Sequence, residues 1–416
     1  MKILLANKFY YLKGGTERHF FDLKKLLEKN GHQTIDFAMQ DNKNFKSPYS
    51  KYFVSPINLE KSSLSLDGLK AAGRIIYSFE ARAKMEALIR AEKPDLAHIH
   101  NIYHQISPSI LTPLKRAGIP IVMTVHDFKL MCPNYIFYTE GKVCERCKKY
   151  KFYNCVLHKC VKNSYLASKI NMLEMYYHNL LKIYKNNIDL YLAPSRFVAN
   201  KLIAFGFNKD KIKVLPHFIA QPETNSFSKN NSEESISSND YILYFSRLSK
   251  EKGVNTLLEA MTKIKNKEIK LKVAGIGSKE EELKEYVKNK RLQEKIEFLG
   301  FLDGKSLSDA ISSSLFTVIP SVFYETFCLS LLESYNYNKP VIVAKLGALP
   351  ELIEENKTGL FFESGNSDDL AKKINKMLEN RENIEKMGKS AKEFSKKFNK
   401  EDYYKKLEEI YKKLTS

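Results

Sequence analysis

The stretch Leu315-Phe316-Thr317-Val318-Ile319-Pro320-Ser321-Val322-Phe323-Tyr324-Glu325-Thr326-Phe327-Cys328-Leu329-Ser330-Leu331-Leu332-Glu333 reads as a buried strand, a short loop and the opening of a helix. The run Leu315–Ile319 has the length and apolar character of a strand covered on both faces. The loop carries Glu325, and a helix is expected to begin near Thr326. Glu333 then falls two turns into that helix, about 12 Å along it at 1.5 Å per residue. Two carboxylates so separated can accept hydrogen bonds from two ends of an elongated polyhydroxylated ligand. Between them a helix N-terminus offers free N–H groups to a diphosphate. Spacing alone fits equally well two acidic residues on the exposed side of an ordinary helix.

The same strand-then-helix alternation extends in both directions, the pattern of parallel sheets covered on both faces. Upstream, strands are expected at Lys2–Ala6, Thr34–Ala38, Leu96–His100, Pro120–Val125, Leu190–Ala193 and Lys213–Leu215. A loop, Asn7–Thr16, leads into a helix from Glu17 to about Lys29, with Phe20, Leu23, Leu26 and Leu27 at helical spacing. Asp67–Ala91 reads as an amphipathic helix with Leu69, Ile76, Phe79, Met85 and Leu88 near one side. A second series runs Tyr241–Ser246, Lys270–Ala274, Lys295–Leu299, Leu315–Ile319 and Val341–Ala344. Between the series, Gln221–Asp240 is rich in Ser and Asn and has the composition of a linker. The organisation expected is therefore an α/β N-terminal domain over 1–220, a linker over 221–240 and an α/β C-terminal domain over 241–399. A charged helix over 400–416 follows, with Tyr403, Leu407 and Tyr411 spaced to dock back on the first domain.

Length and composition agree with this plan. At 416 residues, 43% of them hydrophobic, the chain suits two domains of similar size with buried interiors. No run approaches the roughly 18 apolar residues of a membrane-spanning helix, and the N-terminal apolar run is too short for a signal peptide. A cytoplasmic location is the expectation. The net charge of +20 is lopsided: residues 1–200 hold 31 Lys and Arg against 16 Asp and Glu, and residues 201–416 hold 37 against 32. A basic N-terminal half suggests an anionic partner, such as a phosphorylated acceptor, an anionic membrane surface or nucleic acid. Evenly solvated lysines would look the same in sequence, and no nucleic-acid motif stands beside the charge.

Three further segments carry candidate chemistry. In Ser246-Arg247-Leu248-Ser249-Lys250-Glu251-Lys252-Gly253, a strand gives way to a helix at the carboxyl edge where open parallel sheets bind ligands. Arg247 offers a planar fork and Lys252 a point charge, a pair suited to a diphosphate leaving group without a metal. Lys13-Gly14-Gly15-Thr16 precedes the first long helix, where glycines permit close backbone approach and the helix end favours an anion. It is not the G-x-G-x-x-G pattern of dinucleotide oxidoreductases. In Thr124-Val125-His126-Asp127 a histidine sits at the carboxyl end of a buried strand, where it can face a ligand or simply pack.

Taken in order, these motifs resemble family 4 of the retaining glycosyltransferases, which have the GT-B fold. The likeness rests on Gly14-Gly15, Leu96–Asn101, Thr124–Phe128, Ala193–Phe197, Val214-Leu215-Pro216, Arg247 with Lys252-Gly253, Gly275-Ile276-Gly277 and Phe298-Leu299-Gly300. The two glutamates, Pro340–Gly347 and Asn356–Leu360 complete it, so it spans nearly the whole chain. The resemblance implies two Rossmann-like domains whose parallel sheets face across a cleft, a nucleotide-sugar donor in the C-terminal domain, and a glycan or lipid-linked acceptor on the N-terminal side. It implies that Glu325, with Thr326 and Phe327, contacts the donor sugar, that Glu333 binds the ribose, and that Arg247 and Lys252 hold the diphosphate. Gly277 belongs to the same donor set, and Gly300-Phe301-Leu302 would read the base through backbone groups. Gly15 would approach the donor phosphate, and His126 would lie near the transferred sugar. The implied reaction is metal-independent and retaining, in polysaccharide or glycolipid synthesis; for a lipid-linked acceptor, the basic N-terminal half suits a protein peripheral on the inner membrane face. A nucleotide-sugar epimerase, a phosphorylase and a non-catalytic basic binding protein are the competing readings.

Cys144, Cys147, Cys155 and Cys160 lie in a basic loop, with Cys132 upstream and His158 among them. They could bind a structural zinc or pack as free thiols, and their spacing follows no standard zinc finger.

Overall fold

The computed structural model describes residues 1–57, 73–219 and 240–416. The chain forms two units, one of Met1–Glu140, Cys144–Phe218 and Lys400–Ser416, the other of Gly141–Val143 and Ile219–Asn399. In the first unit lie β1 (Lys2–Ala6), β2 (Gln33–Phe37), β3 (Leu96–Ile99) and β4 (Ile121–Thr124). Two-residue strands β5 (Tyr138–Thr139) and β6 (Lys142–Val143) stand outside the large sheets, and β7 (Leu190–Ala193) and β8 (Ile212–Val214) follow. The second unit has β9 (Tyr241–Phe245), β10 (Lys270–Ala274), β11 (Ile296–Gly300), β12 (Phe316–Ile319), β13 (Val341–Ala344) and β14 (Gly359–Phe362).

Each large sheet has six parallel strands, in the order β2-β1-β3-β4-β7-β8 and β11-β10-β9-β12-β13-β14. Parallel strands covered on both faces must be apolar throughout, and β3, β4, β7, β12 and β13 are buried at every position. In both sheets the chain steps outward from the first strand, then returns to that strand's other side. The reversal falls between β1 and β3 in the first unit and between β9 and β12 in the second. In open parallel sheets, ligands bind outside the carboxyl ends of strands at such a reversal.

The strand boundaries expected from sequence stand within a residue of those observed. β14 is a strand that the apolar-run reading does not pick out, because Gly359 opens it and its apolar stretch is brief. The helix expected to start near Thr326 starts instead at Leu329, after Cys328. Glu333 is therefore one turn into it, about 6 Å along rather than 12. Asp67–Ala91 is not a single helix: residues 67–72 with Leu69 lie outside the described residues, and the continuous helix is Phe79–Glu92. The Ser78 Oγ accepts from the Ala81 N–H and sets that helix start. Met85 and Leu88 face the core, whereas Phe79 is exposed. Residues 221–239 of the linker also lie outside the described residues, while Asp240 pairs with Arg381 at 2.7 Å.

The final helix, Lys400–Thr415, buries Tyr403, Leu407, Ile410 and Tyr411 in the core of the first unit, beside Phe20, Leu23 and Phe218. Tyr411 also hydrogen-bonds His98 Nδ1 at 2.6 Å.

Candidate functional site

Two loops meet at the reversal of the second sheet. After β9 the chain passes through Ser246–Ser249 into a 3-10 turn, Lys250–Lys252, and Gly253 leads into the helix Val254–Lys263. After β12 it runs through Pro320–Cys328 before the helix Leu329–Asn336. The Val322 N–H donates to the Glu251 carbonyl at 2.9 Å and ties the loops together. Across them Lys252 Nζ donates to Glu325 Oε1 at 2.8 Å, and Ser321 Oγ donates to the same oxygen at 2.7 Å. Lys252 also lies over the Phe323 ring, 5.2 Å from its centroid. Glu325 is buried and Lys252 nearly so. An ion pair this sheltered keeps a lasting geometry, because both partners have lost most of their water.

Around this pair the backbone is packed tightly. A Cβ on Gly347 (φ +63°) would fall 2.8 Å from the Glu325 nitrogen and 2.9 Å from its carbonyl oxygen. That close approach lets the Ala348 N–H donate to the Glu325 carbonyl at 3.0 Å. A Cβ on Gly277 would fall 2.3 Å from the Leu248 oxygen, so the loop after β10 lies flat on the loop after β9. Arg247 belongs to the same edge but is exposed, with Nη2 3.6 Å from Glu251 Oε1 and its own carbonyl accepting from Tyr244 OH at 2.8 Å. Glu333 is half-buried on the Leu329–Asn336 helix, whose N-terminus has no side-chain cap. Phe301 is exposed after β11 and Leu302 half-buried beside it. Thr326 lies with Glu325 in the loop after β12, and the Phe327 ring beside it is buried in the core against Phe398.

The first unit holds the remaining candidates, Gly15 and His126. Gly15 is exposed at the first position of the helix Gly15–Lys29, after an extended Gly14. The loop after β1 is joined to the loop after β3. Lys8 N–H donates to the Asn101 carbonyl at 2.7 Å, and Asn101 N–H to Asn7 Oδ1 at 3.2 Å. His126 follows β4, and its Nε2 is 2.8 Å from His100 Nδ1. It is one of five histidines that converge on the carboxyl edge of this sheet. His98 stacks on His100 (4.6 Å between centroids), His100 on His126 (5.1 Å), His126 on His217 (5.1 Å), and His217 lies 3.9 Å from His19. Burial holds all five below the usual imidazole range, helped at every one but His217 by the neighbouring histidines, and takes His98 and His217 down to about 3. All five are therefore neutral at pH 7. The sequence reading singled out His126 alone. Of the other four, His98, His100 and His217 share the sequence signal of lying at the end of an apolar run, whereas His19, on the first helix, carries none.

The four cysteines are brought together with Cys132 around one cavity of about 10 Å³, which Asn134, Tyr138 and Thr139 also line. All are free thiols, and among the described residues no group of three or more His, Cys, Asp or Glu side chains is arranged to hold a metal ion. No helix among the described residues is long and apolar enough to cross a membrane.

Comparison with known proteins places this geometry in a family. Residues 13–220 match the model for "Glycosyltransferase Family 4", and residues 226–394 the model for "Glycosyl transferases group 1". An uncharacterized glycosyltransferase of Methanocaldococcus jannaschii is 23% identical over 417 residues, covering 100% of this chain and 99% of its own. Another from the same organism is 34% identical over 138 residues, 33% of this chain and 35% of that one, so this match spans about a third of that relative. Among solved structures, Anabaena HepE in complex with UDP superposes with a TM-score of 0.70 at 17% identity, covering 99% of this chain and 100% of that one. Matched over both halves and sharing the fold of solved relatives, the chain belongs to glycosyltransferase family 4 and is a glycosyltransferase of the GT-B fold.

Proposed function

We propose that the chain transfers a sugar, with retention of anomeric configuration and without a metal, from a nucleotide-diphosphate sugar to a glycan or lipid-linked acceptor. The observation that carries this reading is the Lys252–Glu325 pair at the reversal of the second sheet. A carboxylate there can accept hydrogen bonds from sugar hydroxyls, and the adjacent ammonium can stabilise the charge that grows on a departing diphosphate. Arg247, exposed on the same edge, adds a second cation, and the uncapped helix at Leu329 adds free N–H groups. Two cations take the part that a divalent metal would otherwise play. HepE, bound to UDP, supports a nucleotide donor. Gly15 and His126 keep the roles that the resemblance assigns them, toward the donor phosphate and the transferred sugar. Departure of the diphosphate and attack by the acceptor on one face is the course proposed.

The experiment is a thermal-shift screen of nucleotide-sugars in the presence of a chelator, followed by transfer to a lipid-linked saccharide with the stabilising donor. A bound donor raises the melting temperature by mass action. The anomeric proton coupling of the product should match that of the donor. An inverted product, transfer abolished by chelation, or no stabilising nucleotide-sugar would each overturn the reading.

A further inference from the structure

The helix Tyr165–Leu180 is amphipathic in the reverse sense. Its inward face carries Ser168, Asn171, Glu174, Met175 and His178. Most of those polar groups are paired inside the unit. Lys129 Nζ donates to Glu174 Oε2 at 2.8 Å and to Asn171 Oδ1 at 2.9 Å, and His178 Nε2 donates to the Ile76 carbonyl at 2.7 Å. Its outward face carries Tyr165, Leu173, Tyr176, Tyr177 and Leu180, all exposed, with Leu180 at 80%. Tyr165, Lys169, Leu173, Tyr176 and Leu180 follow one another at intervals of four, four, three and four, which aligns them along about 22 Å of helix. The stripe does not end there. Tyr176 OH accepts from the Tyr153 N–H at 3.3 Å, bringing the short helix Asn154–Leu157 alongside with Tyr153 and Leu157 exposed, and Leu181 extends it at the other end. Single exposed apolar residues are ordinary, whereas a contiguous set marks an interaction surface.

The charge around the stripe has one sign. From residue 146 to 188 there are nine Lys and Arg and one carboxylate, Glu174, which is fully buried. Arg146, Lys148, Lys149, Lys151, Lys162, Lys169 and Lys182 are exposed, and Lys159 lies over the Tyr165 ring at 4.4 Å. Lysine is depleted in interfaces between proteins, and buried protein interfaces need both signs of charge to pair. Leu and Tyr flanked by lysines suit the boundary between lipid headgroups and acyl chains. There apolar side chains insert, tyrosine sits at the headgroup level and lysines reach the phosphates.

We propose that the outward face of the Tyr165–Leu180 helix, with Tyr153 and Leu157 beside it, docks on an anionic lipid bilayer. The inference stands on this surface alone and does not depend on the donor or the retaining reaction. It also relocates the membrane contact that charge counting places loosely on the N-terminal half: inserted leucines and tyrosines hold the surface, and lysines select anionic lipid.

The test is co-sedimentation of the full chain with vesicles of phosphatidylcholine, or of equal parts phosphatidylcholine and phosphatidylglycerol. The wild-type chain should bind the mixed vesicles and not the neutral ones. The triple variant L157S/L173S/L180S alters only exposed positions, so its melting temperature should match wild type while vesicle affinity falls about tenfold or more. Replacing Lys162, Lys169 and Lys182 by Gln should lower affinity for mixed vesicles by about a hundredfold at low salt. Equal binding of wild type and the triple serine variant would overturn the proposal. So would a wild-type dimer that the same variant dissolves to monomer without any vesicle binding, since the face would then meet a second copy.

Discussion

The Lys252 ammonium donates to the Glu325 carboxylate across 2.8 Å, joining the loops after β9 and β12 although the residues stand 73 positions apart. Each is expected to depend on the other. Lys252→Ala or Glu325→Gln should cost about 10²–10³ in turnover, the size of one lost electrostatic contact to the reacting group. The double variant should lose far less than the product of the two, because the partners act as a unit. Full multiplicative loss in a double-mutant cycle would show that they act separately.

Glu333, one turn into its helix, is expected to bind donor rather than assist the reaction. Glu333→Ala should raise the donor KM with kcat nearly unchanged, the mark of a contact made equally in ground and transition states. Steady-state kinetics decide this, and a fall in kcat with constant KM would reverse the assignment.

Gly347 holds the Glu325 backbone by close approach, and its φ of +63° is unfavourable for any residue with a Cβ. Gly347→Ala should lower stability by about 1–3 kcal/mol and also reduce donor affinity, since the added carbon meets the Glu325 peptide. Denaturant melts and donor titration measure the two effects. A stable variant with unaltered affinity would contradict the contact.

The five-histidine cluster predicts acid sensitivity. Its members have folded pKa values below the unfolded value of about 6.5, so between the two the unfolded chain binds more protons than the folded one. Their stabilising contribution is thus complete above about pH 6.5 and is lost as pH falls through the folded values, which for His98 and His217 are about 3. Each can contribute up to about 1.4 kcal/mol per pH unit in that window. His217→Asn should flatten the fall of stability between pH 6.5 and 5 by one proton's share. Unfolding free energies of wild type and variant that fall in parallel over this window would refute the account.

Tyr411 OH and His98 Nδ1, 2.6 Å apart in the first unit, couple the last helix to β3. Tyr411→Phe should cost about 0.5–1.5 kcal/mol, the net worth of one buried hydrogen bond. Ending the chain at Asn399 should do much more, by baring the core that Tyr403, Leu407 and Ile410 cover. A truncated chain with an unchanged melting transition would refute that packing.

Sequence by itself determined every strand of the two large sheets but β14, the class of fold and the loops that carry Arg247, Lys252, Glu325 and Glu333. Those features are local: a buried parallel strand must be a short apolar run, and a sheet-edge ligand site must follow its carboxyl end. Helix starts were less legible. The apolar residues of Thr326–Cys328 continue a helical pattern, yet the close approach of Gly347 to Glu325 accompanies an extended path until Leu329. Only the tertiary structure decided which distant residues meet. His19, His98, His100, His126 and His217 come from the ends of three strands, β3, β4 and β8, and from a helix, and nothing in their spacing announces a cluster. Periodicity likewise shows that the Tyr165–Leu180 helix has an apolar stripe, and the ordinary expectation turns such a stripe inward. Lys129, offered by the loop after β4, reverses it, because a buried ammonium requires a carboxylate and Glu174 supplies one from the opposite face.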